Sequence, residues 1–194
     1  MGVIAVFDLV LTIENVVMIG AFSEGIDLRV AHQRLASLKC NWQKSSGLSV
    51  KLNGPPATFL LFKNGKFVCT GTKTKTKGKQ AIIHLLNLLK TENLVSKNCG
   101  FECCVKNLVA SANLSGASVP LEQLTNEFET LYDPEKFPPI YKTNKPQATL
   151  LICLTGKLIC SGITDEEALN RLVKKFYTQL VEEKTIEKTL SPSN

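Results

Sequence analysis

Between residues 58 and 71 the chain reads TFLLFKNGKFVCTG, two apolar runs divided by a short polar stretch, and 91 positions later it reads TLLICLTGKLICSG. Such a pattern predicts a β-hairpin turning at Asn64-Gly65 and a second turning at Thr155-Gly156. Upstream, apolar runs over 11–22 and 103–114 predict strands, and each leads into a helical periodicity. The first helix is expected over 27–38, capped by Asp27, and its counterpart over 120–131, opened by Pro120. Strands follow at 48–52 and 139–143, and long helices close each set over 79–91 and 165–181, where Asp165, Glu166 and Glu167 suit a helix N-terminus.

The two sets are copies. Residues 57–71 and 148–162 are identical at 7 of 15 positions, and IENVVMIGAF (13–22) parallels VKNLVASANL (105–114) at an offset of 92. Two units of this length are too long and too few for a solenoid, so they predict one internally duplicated domain with approximate two-fold symmetry. The expected divisions are an apolar extension over 1–11, repeats over 12–97 and 98–181, and a polar tail over 182–194. The runs ATFLLF, KFVC, ATLLIC and KLIC are apolar on both strand faces, whereas a sheet with helices on one side and water on the other alternates. Something apolar must therefore cover the second face: a further protein layer, or a ligand.

Charge and cysteines narrow the classes. The net charge of +6 is uneven, with 13 basic against 5 acidic side chains up to residue 97 and 10 against 12 after it, so the first half suits a polyanion. Seven cysteines, an odd number, in a chain of 194 residues fit free thiols in a reducing compartment. Cys99, Cys103 and Cys104 lack a partner pair at zinc spacing, and His32 and His84 lie far off in sequence, so no metal site is expected. Nucleophile elbow, phosphate loop and paired-acid signatures are absent, which argues against an enzyme and against a bound cofactor. No stretch approaches the about 20 apolar residues of a membrane span, and a soluble protein is expected.

Asn-Val in the first strand, FPPIYK (137–142), KPQATLLICLTGKLICSG (145–162) and the closing helix together resemble the TATA-box-binding protein family over residues 12–181. That resemblance implies an α+β fold: a pseudo-two-fold saddle of ten curved antiparallel strands with four helices on the convex face. It also implies a general transcription initiation factor whose apolar sheet covers an A·T-rich minor groove. The acceptors of such a groove are nearly two-fold symmetric, so a duplicated surface reads both halves with the same tools. By the resemblance, Asn15 and Asn107 donate to base acceptors, with Thr70 and Ser161 beside them. Val17, Val109, Leu60, Leu151, Val68 and Ile159 press on the groove floor. Lys51 and Lys142 meet phosphates, as do Lys66 and Lys157 on the hairpins.

Family members also insert two pairs of phenylalanines between base steps, and the family is itself the standard case of such wedging, with a bend of about 80°. Phe62 and Phe137, followed by Pro138, hold two of these positions; Cys153 holds the third, and Ser45 or Ser46 the fourth. The loop YDPEKFPP would engage a transcription factor IIB-like protein through Tyr132, Asp133, Glu135 and Lys136, and a IIA-like factor is a further candidate partner. The protein is expected as a monomer on double-stranded DNA, with dimerisation off DNA left open. It would work in the nucleus, or at the site of viral transcription, without membrane contact. The alternatives are a related factor with weak TATA preference that acts through protein partners, and an accessory domain of a nucleic-acid enzyme. KTKTKGK (73–79) is read as a charged loop.

Overall fold

The computed structural model describes residues 11–42, 47–114, 130–133, 136–144, 147–153 and 155–182. Ten strands and three helices lie among them. The strands are β1 (Leu11–Phe22), β2 (Lys39–Trp42), β3 (Leu48–Asn53), β4 (Pro56–Leu61), β5 (Lys66–Thr72), β6 (Phe101–Asn113), β7 (Thr130–Asp133), β8 (Lys136–Asn144), β9 (Gln147–Ile152) and β10 (Lys157–Ile163). The helices are α1 (Leu28–Arg34), α2 (Lys75–Thr91) and α3 (Glu166–Glu182). The helix expected over 120–131 falls on residues outside those described, except that Thr130 and Leu131 belong to β7.

Two compact units divide the chain, one spanning Glu14–Asn107 and the other built from Leu108 onward with Leu11–Ile13. In the first the strand order is β2-β3-β4-β5-β1, and in the second β10-β9-β8-β7 follows β6. Within each unit these pairings are antiparallel.

In the first unit Val16, Met18, Phe59, Phe67 and Cys69 are buried on one sheet face with Ala81, Ile82, Leu85 and Leu89 of α2. The Phe59 and Phe67 rings meet edge-on at 6.1 Å between centroids, and Phe22 lies 4.8 Å from Phe67. The second unit buries Leu108, Ala110, Leu150, Ile152, Leu158 and Cys160 with Leu169, Val173 and Phe176 of α3. Each Val, Leu, Ile, Phe or Met among them contributes about 1.5–3 kcal/mol on removal from water. Burial pushes the Cys69 and Cys160 thiols up to about 12, with Cys103 adding to the effect at Cys69. Neither is a nucleophile near neutral pH.

Helix α2 starts earlier than its sequence pattern predicts. Thr74 is the N-cap, its Oγ1 accepting from the Lys77 N–H at 3.1 Å, so Lys75, Lys77 and Lys79 sit in the first turns of a helix and not in a loop. Gly78 permits the approach, because a Cβ there would stand 2.5 Å from the Met18 sulfur. Asp27 caps α1 as expected, accepting from the N–H groups of Arg29 and Val30 at 2.9 and 3.2 Å, but the helix ends at Arg34. The chain then enters β2, a strand whose KCNW sequence lacks alternation and which exists through its pairing with β3.

A candidate nucleic-acid interface on the uncovered sheet face

Side chains alternate across a strand, so the neighbours of the buried set point to the opposite face. There Val17, Leu60, Phe62, Val68 and Thr70 in the first unit are only partly buried, as are Val109, Leu151, Cys153, Ile159 and Ser161 in the second. Among the described residues no second protein layer buries them. The doubly apolar strands therefore carry one face in the core under helices and one apolar face left half-open, at equivalent positions of both units. An open cavity of about 910 Å³ in the first unit is lined by Ile19, Phe62, Lys66, Val68 and Cys103, among others. Cys103 is half-buried and Cys104 exposed, and neither belongs to a cluster able to hold a metal among the described residues.

The polar residues on this face are held by a β-bulge. Val16 stands opposite Thr72 and Met18 opposite Cys69, so β5 carries one extra residue, and Gly71 adopts φ 89° there. The second unit repeats the device: Ala110 faces Cys160, Leu108 faces Ile163, and Gly162 adopts φ 95°. At the first bulge the Gly71 N–H donates to Asn15 Oδ1 at 2.9 Å. Asn15 Nδ2 donates to Thr70 Oγ1 at 2.9 Å, and that hydroxyl lies 3.2 Å from Oδ1. The backbone donor fixes which end of the amide is oxygen, so Nδ2, with two hydrogens and one internal acceptor, keeps a donor for an incoming acceptor. Sequence reasoning singled out Asn15 and Thr70; the part of Gly71 in orienting them emerges only from the bulge.

Register brings the remaining candidates into rows. Lys51 lies opposite Thr58, and Thr58 opposite Thr70; Ser49 lies opposite Leu60, and Leu60 opposite Val68. In the second unit Lys142 stands opposite Thr149, and Leu151 between Ile140 and Ile159. Lys66 and Lys157 open β5 and β10 and are exposed, beyond the turns after Phe62 and Cys153. Phe137 and Pro138 lie on β8. Tyr132 and Asp133 end β7 and Lys136 begins β8, with Asp133 and Lys136 opposite each other. Glu135, Ser45 and Ser46 lie outside the described residues.

This arrangement defines a class: duplicated α+β proteins that present an apolar sheet face edged with amides, hydroxyls and lysines. The chain matches the family described as "Transcription factor TFIID (or TATA-binding protein, TBP)" over residues 10–91 and 102–182, and it belongs to that family. It is 36% identical over 172 residues to the TATA-box-binding protein of Pyrobaculum aerophilum, covering 88% of this chain and 85% of that one. It is 34% identical over 177 residues to the TATA-box-binding protein of Methanothermobacter thermautotrophicus, covering 90% and 97%. The solved structure of Methanococcus jannaschii TBP superposes with a TM-score of 0.76 at 30% identity, over 89% of this chain and 98% of that one.

Proposed function

We propose that this chain is a general transcription initiation factor that binds A·T-rich promoter DNA through the minor groove and bends it, without catalysing a reaction. The observation that carries this reading is the half-open apolar face repeated at equivalent positions in both units. Apolar floors of this kind suit a groove lacking the guanine amino group, whose hydrogen bond they would leave unmade. Asn15 supplies an oriented donor, and Asn107 holds the equivalent position in β6. Lys51, Lys66, Lys142 and Lys157 would neutralise phosphates, and Phe62, Phe137 and Pro138 would wedge the ends of the site, with Cys153 packing on a sugar.

The β7–β8 hairpin, with Tyr132, Asp133, Glu135 and Lys136, would recruit a IIB-like factor to assemble the initiation complex, and a IIA-like factor would join elsewhere. The functional repeats would be 12–97 and 98–181, active wherever the host genome is transcribed, the nucleus in a nucleated cell. A gel shift comparing a TATA duplex with its G·C-substituted version tests the reading, and equal or absent binding would reject it. One observation favours a second reading, a related factor with weaker TATA preference: Cys153 stands where Phe62 stands in the other copy. Opening a step costs a few kcal/mol, and a thiol holds it open less well than a phenyl ring.

A further inference from the structure

The first unit carries a pair of lysines whose juxtaposition is unfavourable in the free protein. Lys39 of β2 lies directly opposite Lys51 of β3, and both are exposed. Like charges directly opposite on neighbouring strands destabilise a sheet, and among the described residues the ion pairs of this unit involve neither lysine. The two share the open face. Val50 and Leu52, next to Lys51 along β3 and on the other face, are buried in the core, while Lys51 faces the same way as Thr58 and Thr70, its successive neighbours across β4 and β5. The row running outward from Asn15 is therefore Thr70, Thr58, Lys51, Lys39: amide and hydroxyls toward the middle, two cations at the edge strand. A parallel row runs from Ile19 through Val68, Leu60 and Ser49 to Asn41, apolar first and polar last.

We propose that Lys39 is a phosphate-binding residue that forms, with Lys51, a two-lysine clamp for the nucleic-acid backbone at the outer edge of the first repeat. The proposal rests on the minor-groove reading above. If apolar residues meet the groove floor, the strands beyond them meet its wall, and neighbouring strands are about 4.8 Å apart. That separation lets the two flexible ammonium groups close on one phosphate or on adjacent ones. A bound phosphate converts their mutual repulsion into shared attraction, so the strain of the free protein becomes a gain on binding. Both lysines belong to the half of the chain that carries the basic excess.

Fluorescence anisotropy on a labelled TATA duplex and on its G·C-substituted version, titrated across salt with wild type, Lys39→Ala, Lys51→Ala and Lys39→Arg, tests this. Lys39→Ala is expected to make the slope of log K against log salt shallower by about 0.9 on both duplexes, so that a fourfold salt increase costs it about threefold less affinity than wild type. Lys39→Arg restores the slope. In the absence of DNA the melting temperature of Lys39→Ala stays the same or rises, which a merely structural lysine would not produce. An unchanged slope for Lys39→Ala alongside a shallower one for Lys51→Ala overturns the clamp and leaves the groove reading standing. Wild type that binds neither duplex overturns both. Should circular dichroism reveal misfolding of the alanine variant, Lys39→Gln takes its place under the same criteria.

Discussion

Compared position by position, the two repeats agree at the asparagines, the open apolar face and the bulge glycines, and disagree at the hairpin ends and the starts of the closing helices. Asn15 and Asn107, Val17 and Val109, Leu60 and Leu151, and the bulge glycines Gly71 and Gly162 repeat one pattern. At the hairpins Phe62 answers to Cys153. At the closing helices the contrast is one of charge: α2 starts with Lys75, Lys77 and Lys79, whereas α3 starts with Glu166 and Glu167 behind Asp165, whose Oδ1 accepts from the Ala168 N–H at 2.8 Å. Acidic residues suit the positive pole of a helix and lysines oppose it. The repeated positions keep one pattern while the hairpin ends and helix starts differ, and the lysine-rich start of α2 is the costlier solution on its own.

The sharpest test of the shared centre is Val17→Glu and Val109→Glu. Each is expected to lower affinity for TATA DNA by more than about a hundredfold, since a carboxylate would be desolvated against the groove. Melting temperature and circular dichroism should stay close to wild type. Unfolding of either variant would mean that protein, and not DNA, covers this face.

The hairpins come next. Phe62→Cys removes an aromatic and Cys153→Phe adds one, so dissociation from TATA DNA should quicken in the first and slow in the second, each by about tenfold. Energy transfer between duplex ends should report a smaller and a larger bend respectively. A wild-type bend already near 80°, or an unchanged bend in both variants, would show that the difference between the copies has no bearing on wedging.

Smaller effects are expected at the helices. Giving α2 the acidic start of α3, by Lys75→Glu and Thr76→Glu, should stabilise the free protein by about 0.3–1 kcal/mol per change at low salt, and less at high salt. Thermal melts at two ionic strengths would detect it, and a loss of stability would contradict the assigned helix start.

At their buried thiols the two units behave alike. Both Cys69 and Cys160 are raised in the folded state, so the folded protein holds its thiol protons where the unfolded chain has released them. Stability is therefore full below about pH 9 and falls as the pH climbs toward about 12. Melting temperatures of wild type and Cys69→Val should diverge over that window, the variant losing less. A constant difference across it would mean that the thiol does not ionise on unfolding.

Much of this protein was readable along the chain because duplication supplied an internal control. The hairpins at Asn64-Gly65 and Thr155-Gly156, the doubly apolar strands and the paired asparagines appear twice, and a pattern that recurs at a fixed offset outweighs the ambiguity of any short window. Local chemistry sufficed there, since turn residues and side-chain period act over a few positions. What local chemistry could not decide was anything that depends on a neighbour distant in sequence. Strand β2 has no alternation and forms against β3; Lys75 joins a helix because Thr74 caps it and Gly78 seats it on Met18. Lys39 gains its meaning only from Lys51 across the ladder, and Asn15 acquires a fixed donor only from Gly71, 56 residues away. The sequence alone determined which residues are apolar, polar or charged and that they recur. Tertiary structure decided which of them share a face, because strand register is set by long-range pairing, and a shift of one residue would turn each of these side chains to the other side.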